Sequence, residues 1–331
     1  MITLSLRRSS LLATAPTRSS SALSGASALI RRSSPRAGVW RPFPTTKPWS
    51  RRPRGDSFEK PAIQETCGCY HQCRFCYARR THAYLEEDGV AGWGAKIFVK
   101  VNAPAVVRSE LAKRSWKGEP VAIGTVTDPY QPLEARYRIT RGILEAMRDY
   151  QSPANLITRS PLVVRDIDVL QSLARAASAH VSISIATLDE RLAREIEPTV
   201  APPRQRLRAV RMLADAGIHV NVALAPILPR ITDSAECIEA VVRAAREAGA
   251  RKVWHNTLYL HEVTREAFFS YLRERKPELL AEYASLYRGK YAPGDIAATV
   301  DRRVGEALRS APRRDVEMVQ TRAPVQISLL G

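Results

Sequence analysis

Three cysteines stand in the run Gly68-Cys69-Tyr70-His71-Gln72-Cys73-Arg74-Phe75-Cys76-Tyr77. A Cys-x3-Cys-x2-Cys spacing can place three thiolates around one face of an iron–sulfur cube, which leaves one iron without a protein ligand. A cluster held by four cysteines mostly passes electrons, whereas an open iron can bind a small molecule and act on it. Thiolates held in one loop for this purpose are expected to have lowered pKa values. Cys67 opens a second reading, because Cys67-x-Cys69 with Cys73-x2-Cys76 offers four thiolates for a tetrahedral zinc. Structural zinc sites usually draw ligands from two separated knuckles; all four cysteines here fall within ten residues, which favours the cluster. His71, between two ligand positions, is expected to shape or shield the loop. Cys237 lies on a helical run away from the others and reads as a small buried hydrophobe.

Such a loop works only if a scaffold holds it beside the atoms it acts on. After Asp56 the chain alternates short β-branched runs with amphipathic runs of helix length, the pattern of a parallel sheet wrapped by helices. Strands are expected over 62–65, 96–101, 121–127, 155–158, 180–186, 219–225 and 252–258. Between them Ile167, Leu170, Leu173, Ala174 and Ala177 recur at helical spacing, as do Leu207, Val210, Leu213 and Ala214. Another helix opens near Asp233, with Glu236 three residues on as in a capping box, and stops at Gly249; Gly217 ends the helix before it. The count predicts an α/β barrel, whose reactive groups gather at the C-terminal ends of the strands. The cysteine loop follows the first strand and so falls at that mouth. Beyond Leu260, Phe268, Phe269, Tyr271, Leu272, Tyr283 and Tyr287 sit in amphipathic helices, a C-terminal extension whose aromatics pack rather than stack on bases.

The 331 residues are 45% hydrophobic and 25% charged, enough apolar content for one large domain with its own core. The formal charge of +18 is unevenly placed: residues 1–55 hold eleven Lys or Arg and no Asp or Glu, leaving +7 for residues 56–331. That surplus is compatible with a polyanionic partner and does not demand one. Residues 1–55 are rich in Ser, Arg, Ala and Pro without hydrophobic period, and are expected to form a disordered basic leader. Their acid-free composition also fits an organelle-targeting peptide, the alternative to a cytoplasmic location. No segment approaches the roughly 20 apolar residues of a membrane helix, so no membrane partner is expected. Cysteines crowded into one loop do not make a disulfide framework and fit a reducing compartment. The expected divisions are the leader over 1–55, the barrel over 56–260, a helical cap over 261–310 and a tail over 311–331.

The cysteine run, with the aromatic Phe75 before its third cysteine, resembles the signature loop of radical S-adenosylmethionine (radical SAM) enzymes. The resemblance narrows at Gly124-Thr125-Val126-Thr127-Asp128-Pro129-Tyr130-Gln131-Pro132-Leu133-Glu134, Thr140-Arg141, Leu156-Ile157-Thr158-Arg159-Ser160-Pro161, Arg165-Asp166-Ile167-Asp168, Val181-Ser182-Ile183-Ser184 and Glu197-Pro198. Together these are similar to the branch related to spore photoproduct lyase, over about Thr66 to Tyr291. The resemblance implies a partial (β/α)6-type barrel and a 4Fe–4S cluster on Cys69, Cys73 and Cys76. It also implies S-adenosylmethionine bound at the open iron, an external electron donor, and reductive cleavage to a 5'-deoxyadenosyl radical that abstracts hydrogen from a substrate. Nucleic acid is the leading substrate class on the branch and the modest positive surplus.

The same resemblance and the needs of the cofactor suggest roles at the strand ends. Arg159 suits the carboxylate, Thr127, Asp128 and Ser184 the amino and ribose groups, and Phe75 sits where the family contacts adenine. Lys100 and Asn102 end the second expected strand, where the superfamily often places a methionine-binding segment; as solvated loop residues they would need no such role. Arg159 has a structural alternative in an ion pair with Asp166 or Asp168. Tyr130 and Gln131 face substrate or belong to the turn Asp128-Pro129-Tyr130-Gln131-Pro132. Spore photoproduct lyase carries a hydrogen-donating cysteine on its third strand where Val126 stands here, so direct reversal of that photolesion is not expected. The reading from a different class is a four-cysteine zinc protein with a basic nucleic-acid-binding tail and no catalysis.

Overall fold

The computed structural model describes residues 39–42, 44–45, 49–50 and 61–321. Ten strands form two sheets: β1 (Val39–Pro42), β2 (Trp49–Ser50), β3 (Ala62–Ile63), β4 (Thr66–Cys67), β5 (Lys96–Val99), β6 (Val121–Ile123), β7 (Ala154–Thr158), β8 (Ala179–Ser184), β9 (His219–Ile227) and β10 (Val253–Thr257). The large sheet runs β10-β9-β8-β7-β6-β3-β2, with its first six strands mutually parallel and β2 antiparallel on the edge. This is the expected α/β architecture, a six-strand partial barrel.

Alternation decides which face is covered. Ala154 and Leu156, Val181 and Ile183, and Val220, Val222 and Leu224 all join the main hydrophobic core. Register brings them side by side, Leu156 against Val181 and Val181 against Val220. The residues between them, Asn155, Ile157, His180, Ser182, His219 and Asn221, form the inner face.

The outer layer consists of α1 (Ala103–Leu111), α2 (Glu134–Tyr137), α3 (Ile139–Asp149), α4 (Ile167–Ala176), α5 (Glu190–Ile196), α6 (Pro203–Asp215) and α7 (Ala235–Glu247). Val107, Ile143, Met147, Leu173, Val210, Leu213 and Val242 are fully buried on these helices, and each such side chain contributes about 1.5–3 kcal/mol of transfer free energy. Gly217 ends α6 in the left-handed region at φ +72, its N–H reaching Ala214 O at 2.8 Å and the Ile218 N–H reaching Leu213 O at 3.0 Å. The cap of α7 lies one residue beyond the expected Asp233: Ser234 Oγ accepts from Cys237 N at 3.2 Å, while Asp233 accepts from Arg230 N at 2.8 Å. Cys237 is half-buried in that first turn.

Four expectations need correction. Residues 96–101 do not supply the second barrel strand; β5 forms a separate three-stranded sheet between β1 and β4. The first and third expected strands are shorter, ending at Ile63 and Ile123; Gly124 turns the chain after Ile123 at φ +81. Part of the expected leader is structural, since β1 pairs with β5 and β2 with β3; residues 1–38 lie outside the described residues. Residues 311–321 do not form a loose tail. Val319 N donates to Gly217 O at 2.9 Å, Arg314 pairs with Asp215 at 2.6 Å and Thr321 Oγ1 donates to Ala174 O at 3.1 Å.

The C-terminal helices divide between two cores. α8 (Glu262–Arg275) and α9 (Leu280–Leu286) bury Phe268, Tyr271, Leu272 and Tyr283 in one cluster with Phe75 and Cys73. α10 (Gly294–Ser310) places Val300, Val304 and Ala307 in the main core beside α7. Among the described residues, no helix is long and apolar enough to cross a membrane.

Candidate functional site

The cysteine loop leaves β4 at the mouth of the barrel. Gly68 opens it at φ +87, where an added Cβ would stand 2.5 Å from Lys96 O, so no larger residue fits. Cys69 and Cys73 are buried and Cys76 is half-buried. The backbone is fixed at each: Cys69 N donates to Trp93 O at 3.1 Å, Cys76 N to Cys73 O at 3.3 Å, and Arg74 N to Ile196 O at 2.9 Å. Arg79, one turn after Cys76, reaches back with Nη2 to Cys73 O at 3.1 Å and Gln72 O at 3.3 Å, while Nη1 holds Gly89 and Val90. Trp93, fully buried, packs with Cys69 and Ala78, and Val126 lies against the same group.

The thiols differ from expectation. Burial pushes Cys69 up to about 12, with the Asp128 charge adding to it. Burial raises Cys73 and Cys76 as well, opposed chiefly by Arg159 at Cys73 and by Arg79 at Cys76. The loop by itself does not hold thiolates, so a metal must displace protons as it binds. Two buried cysteines and a half-buried third, with the guanidinium groups of Arg79 and Arg159 nearby, suit an anionic iron–sulfur cluster. Cys67 stands apart on β4, paired in register with Phe98. Among the described residues, no three His, Cys, Asp or Glu side chains converge as ligands of one single metal ion do.

The loop is sewn to the strand ends by side chains expected to touch cofactor or substrate. Gln131, fully buried, donates to Thr66 Oγ1 at 2.8 Å and accepts from Tyr70 N at 2.9 Å. Thr127 Oγ1 stands 3.0 Å from Thr66 Oγ1 and 3.2 Å from Thr66 O. Tyr130 is buried with its hydroxyl on Asp166 at 2.9 Å, so neither Tyr130 nor Gln131 faces a substrate. Asp128 accepts from Tyr130 N (2.9 Å), Thr158 Oγ1 (2.7 Å) and Arg159 N (2.6 Å), and lies 3.3 Å from His71 Nδ1. Burial pushes its carboxyl up, but His71 and these donors outweigh it and hold the group below the ordinary carboxylate range. His71 thus sets the loop against Asp128 in the turn after β6, which Thr158 and Arg159 hold at the end of β7.

Arg159 leaves β7 toward the cysteines, with its guanidinium carbon 5.5 Å from the centre of the Phe75 ring. Its charge acts on Cys73 and Cys76. Its ion-pair partner is neither Asp166 nor Asp168, which Arg141 and Arg165 occupy. Arg159 Nε instead donates to Glu197 at 2.9 Å and Nη2 to Ala225 O at 3.2 Å. Glu197 also takes Arg206 Nη2 at 2.6 Å, and Arg206 Nη1 donates to Ser184 O at 2.9 Å. Glu197 and Arg206 are each 1% exposed. Ser184 ends β8 beside Arg159, buried.

Lys100 and Asn102 stand at the end of β5, outside the large sheet. Asn102 has both ends of its amide on the Thr45 backbone at 2.8 Å, which ties it to the N-terminal segment. The Lys100 N–H holds Glu65 O at 3.0 Å, and its charge reaches Glu65 and Cys67. Sequence reasoning gave no role to Glu65, Arg79, Trp93, Glu197 or Arg206. Of these, Arg79 had a signal, a cation three residues after the last cysteine at the start of a helical run.

Residues 63–241 match the family model described as the radical SAM superfamily. The chain belongs to the radical SAM superfamily. An uncharacterized protein of Mycobacterium tuberculosis is 37% identical over 242 residues, 73% of this chain and 71% of the relative. An uncharacterized protein of Methanocaldococcus jannaschii is 27% identical over 222 residues, 66% of this chain and 77% of the relative. In three dimensions the chain is similar to spore photoproduct lyase complexed with dinucleoside spore photoproduct, with a TM-score of 0.58 at 14% identity, covering 82% of this chain and 78% of that one. A variant of the same enzyme with bound AdoMet and dinucleoside spore photoproduct gives 0.58 at 15% identity over the same shares. The chain is therefore a radical-SAM-type enzyme, which sets aside the zinc protein without catalysis.

Proposed function

We propose that the chain holds one 4Fe–4S cluster on Cys69, Cys73 and Cys76, binds S-adenosylmethionine beside it, and acts on nucleic acid. The observation that carries this reading is Arg159, anchored by Glu197 over Phe75 and directed at the cysteine loop. When bound, a cluster with one open iron supplies the electron that splits S-adenosylmethionine into methionine and a 5'-deoxyadenosyl radical. This chain's own residues bind and orient. The second η nitrogen of Arg159 has no partner among the described residues and suits the cofactor carboxylate. Glu197, itself neutralised by Arg206, keeps the fork from swinging away. His71 and Asp128 hold the loop at a fixed distance from that fork.

The +7 surplus on residues 56–331 and the dinucleoside bound by spore photoproduct lyase support nucleic acid as the substrate class. Val126, which by sequence resemblance stands at the place of a hydrogen-donating cysteine in spore photoproduct lyase, has no thiol hydrogen to give, so a different fate of the substrate radical is proposed. Anaerobic reconstitution tests the reading: about four iron and four sulfide should bind per chain, and dithionite should drive slow release of 5'-deoxyadenosine and methionine. Ala at Cys69, Cys73 or Cys76 should abolish the visible absorption, whereas Ala at Cys67 or Cys237 should retain it. Stoichiometric zinc without iron, or methylthioadenosine as sole product, overturns the assignment.

A further inference from the structure

The inner wall of the partial barrel carries chemistry that neither the core nor the cysteine loop uses. In the row nearest the N-terminal ends of the strands, Asn155, His180 and His219 stand side by side on β7, β8 and β9, and the two imidazole rings lie 4.2 Å apart between centroids. Ser182 and Asn221 pair in the next row. On the last strand Val253 joins the main core, so Lys252 and Trp254 on either side of it face inward. None of these residues is a carboxylate. The two acids at the mouth, Asp128 and Glu197, are already held by His71 and by Arg159 and Arg206. The His180 ring and the Lys252 side chain make no hydrogen bond or ion pair among the described residues. Burial lowers the pKa of both imidazoles, and the Lys252 charge adds to it at each. A wall of imidazole, ammonium and amide groups without a countercharge suits an anion.

Trp254 supplies a second kind of contact. It pairs in register with Ala223 on β9, and its Nε1 donates to Ser182 Oγ on β8 at 3.5 Å. The indole therefore lies across β9, over the small Ala223, with one face on the sheet and the other toward the barrel interior; the residue is 38% exposed. Thr158 pairs with Ile183 and Ser184 with Ala223, so Arg159, Ser184 and Trp254 share one row. At about 4.8 Å per strand, the backbone of Trp254 stands about 14 Å from that of Arg159. Lys252, two residues earlier, lies about 7 Å down the same wall. An uncovered aromatic face above a wall of donors suits an unpaired base and its phosphate, whereas a base stacked inside a duplex has no free face to offer.

Resting on the proposed function of the cysteine loop and Arg159, we infer that this inner wall binds one unpaired nucleotide of a nucleic-acid strand, with its base stacked on Trp254 and its phosphate on Lys252, His219 and His180. The wall reads the π-face and the charge of the nucleotide and holds it in reach of the Arg159 row. Stacking accepts any base, so Trp254 contributes affinity and placement, and the phosphate contact weakens with salt.

The test uses the iron-loaded full chain and an oligothymidylate carrying a single 2-aminopurine, whose fluorescence is quenched when the base stacks on an indole. Phosphate contacts to the basic residues 1–55 leave that signal unchanged. The wild type should quench the probe. Trp254→Ala should abolish the quenching and weaken binding about tenfold, whereas Trp254→Phe should keep most of the affinity, which separates stacking from misfolding. Lys252→Gln should weaken binding about threefold and lower the salt slope by about one. A strand with neutral methylphosphonate linkages should bind Lys252→Gln and the wild type equally. Absence of quenching in the wild type, quenching that survives Trp254→Ala, or an unchanged affinity and salt slope in Lys252→Gln overturns the inference. So does an effect of Lys252→Gln on inorganic phosphate alone, which would make the wall a free-phosphate site. If dithionite yields no 5'-deoxyadenosine, the proposed function fails, and the quenching titration still decides the wall.

Discussion

Glu65 stands two residues past β3's first Ala-Ile pair and before the cysteine loop, 2% exposed, with both carboxylate oxygens buried and unpartnered. Burial raises its pKa from 4.5 to about 8; Glu134 and Asp128 push the same way and Lys100 opposes them. Between those two values the folded chain keeps a proton that the unfolded chain has released. Stability from this group is therefore fully present below about pH 4.5 and is lost as pH rises toward 8. At about 1.4 kcal/mol per unit, the loss across the window is on the order of 5 kcal/mol. Glu65→Gln removes the titration and keeps the shape. Urea unfolding of both proteins at pH 5, 6, 7 and 8, in the same state of iron loading, isolates Glu65 as the difference between two curves. The variant should gain on the wild type by roughly 1 kcal/mol or more per pH unit from 5 to 8. Parallel curves would refute the reasoning, because they would mean that Glu65 is ionised and satisfied in the fold.

Three further outcomes follow from the ion pairs and from the N-terminal strands. Arg159→Ala should raise the dissociation constant of S-adenosylmethionine for the iron-loaded protein by the equivalent of about 1.5–3 kcal/mol; equilibrium dialysis measures it, and an unchanged constant returns Arg159 to a structural role. Glu197→Ala strands Arg206, which is 1% exposed, and should cost about 3–5 kcal/mol in urea unfolding; a loss below about 1 kcal/mol would mean the network is not buried in solution. A chain starting at Asp56 lacks β1 and β2 and should melt below one starting at Gly38; equal midpoints would show that the pairings with β5 and β3 contribute nothing.

The parallel core was legible because alternation and helix period carry it. Val181 and Ile183, Val220 and Val222, and the faces of α4 and α6 fall where an alternating or 3.6-residue pattern puts them. Residues 96–99 misled because Lys-Ile-Phe-Val reads as a strand in any sheet; which sheet it joins depends on Val39–Pro42 and Thr66–Cys67 arriving beside it. The N-terminal segment misled for a related reason: strands of four and two residues are too short to show a period, and the ladder partner of β1 lies far along the chain.

At the site, residue types were legible and their commitments were not. Asp128, Thr127, Gln131 and Asn102 have the polarity a ligand needs, but partners from other elements already hold them: His71 and Thr158, Thr66, Tyr70, and Thr45. A buried polar group that has its hydrogen bonds gains little from a ligand and loses much by turning to one. That condition sorts the strand ends. Arg159 keeps one η nitrogen beyond its bonds to Glu197 and Ala225. Its partner was obscured in the sequence because Glu197 lies 38 residues away, while the nearer Asp166 and Asp168 are taken by Arg141 and Arg165. In the proposed function, selectivity for the cofactor carboxylate rests on Glu197 holding a single guanidinium in place, and not on a set of interchangeable polar residues.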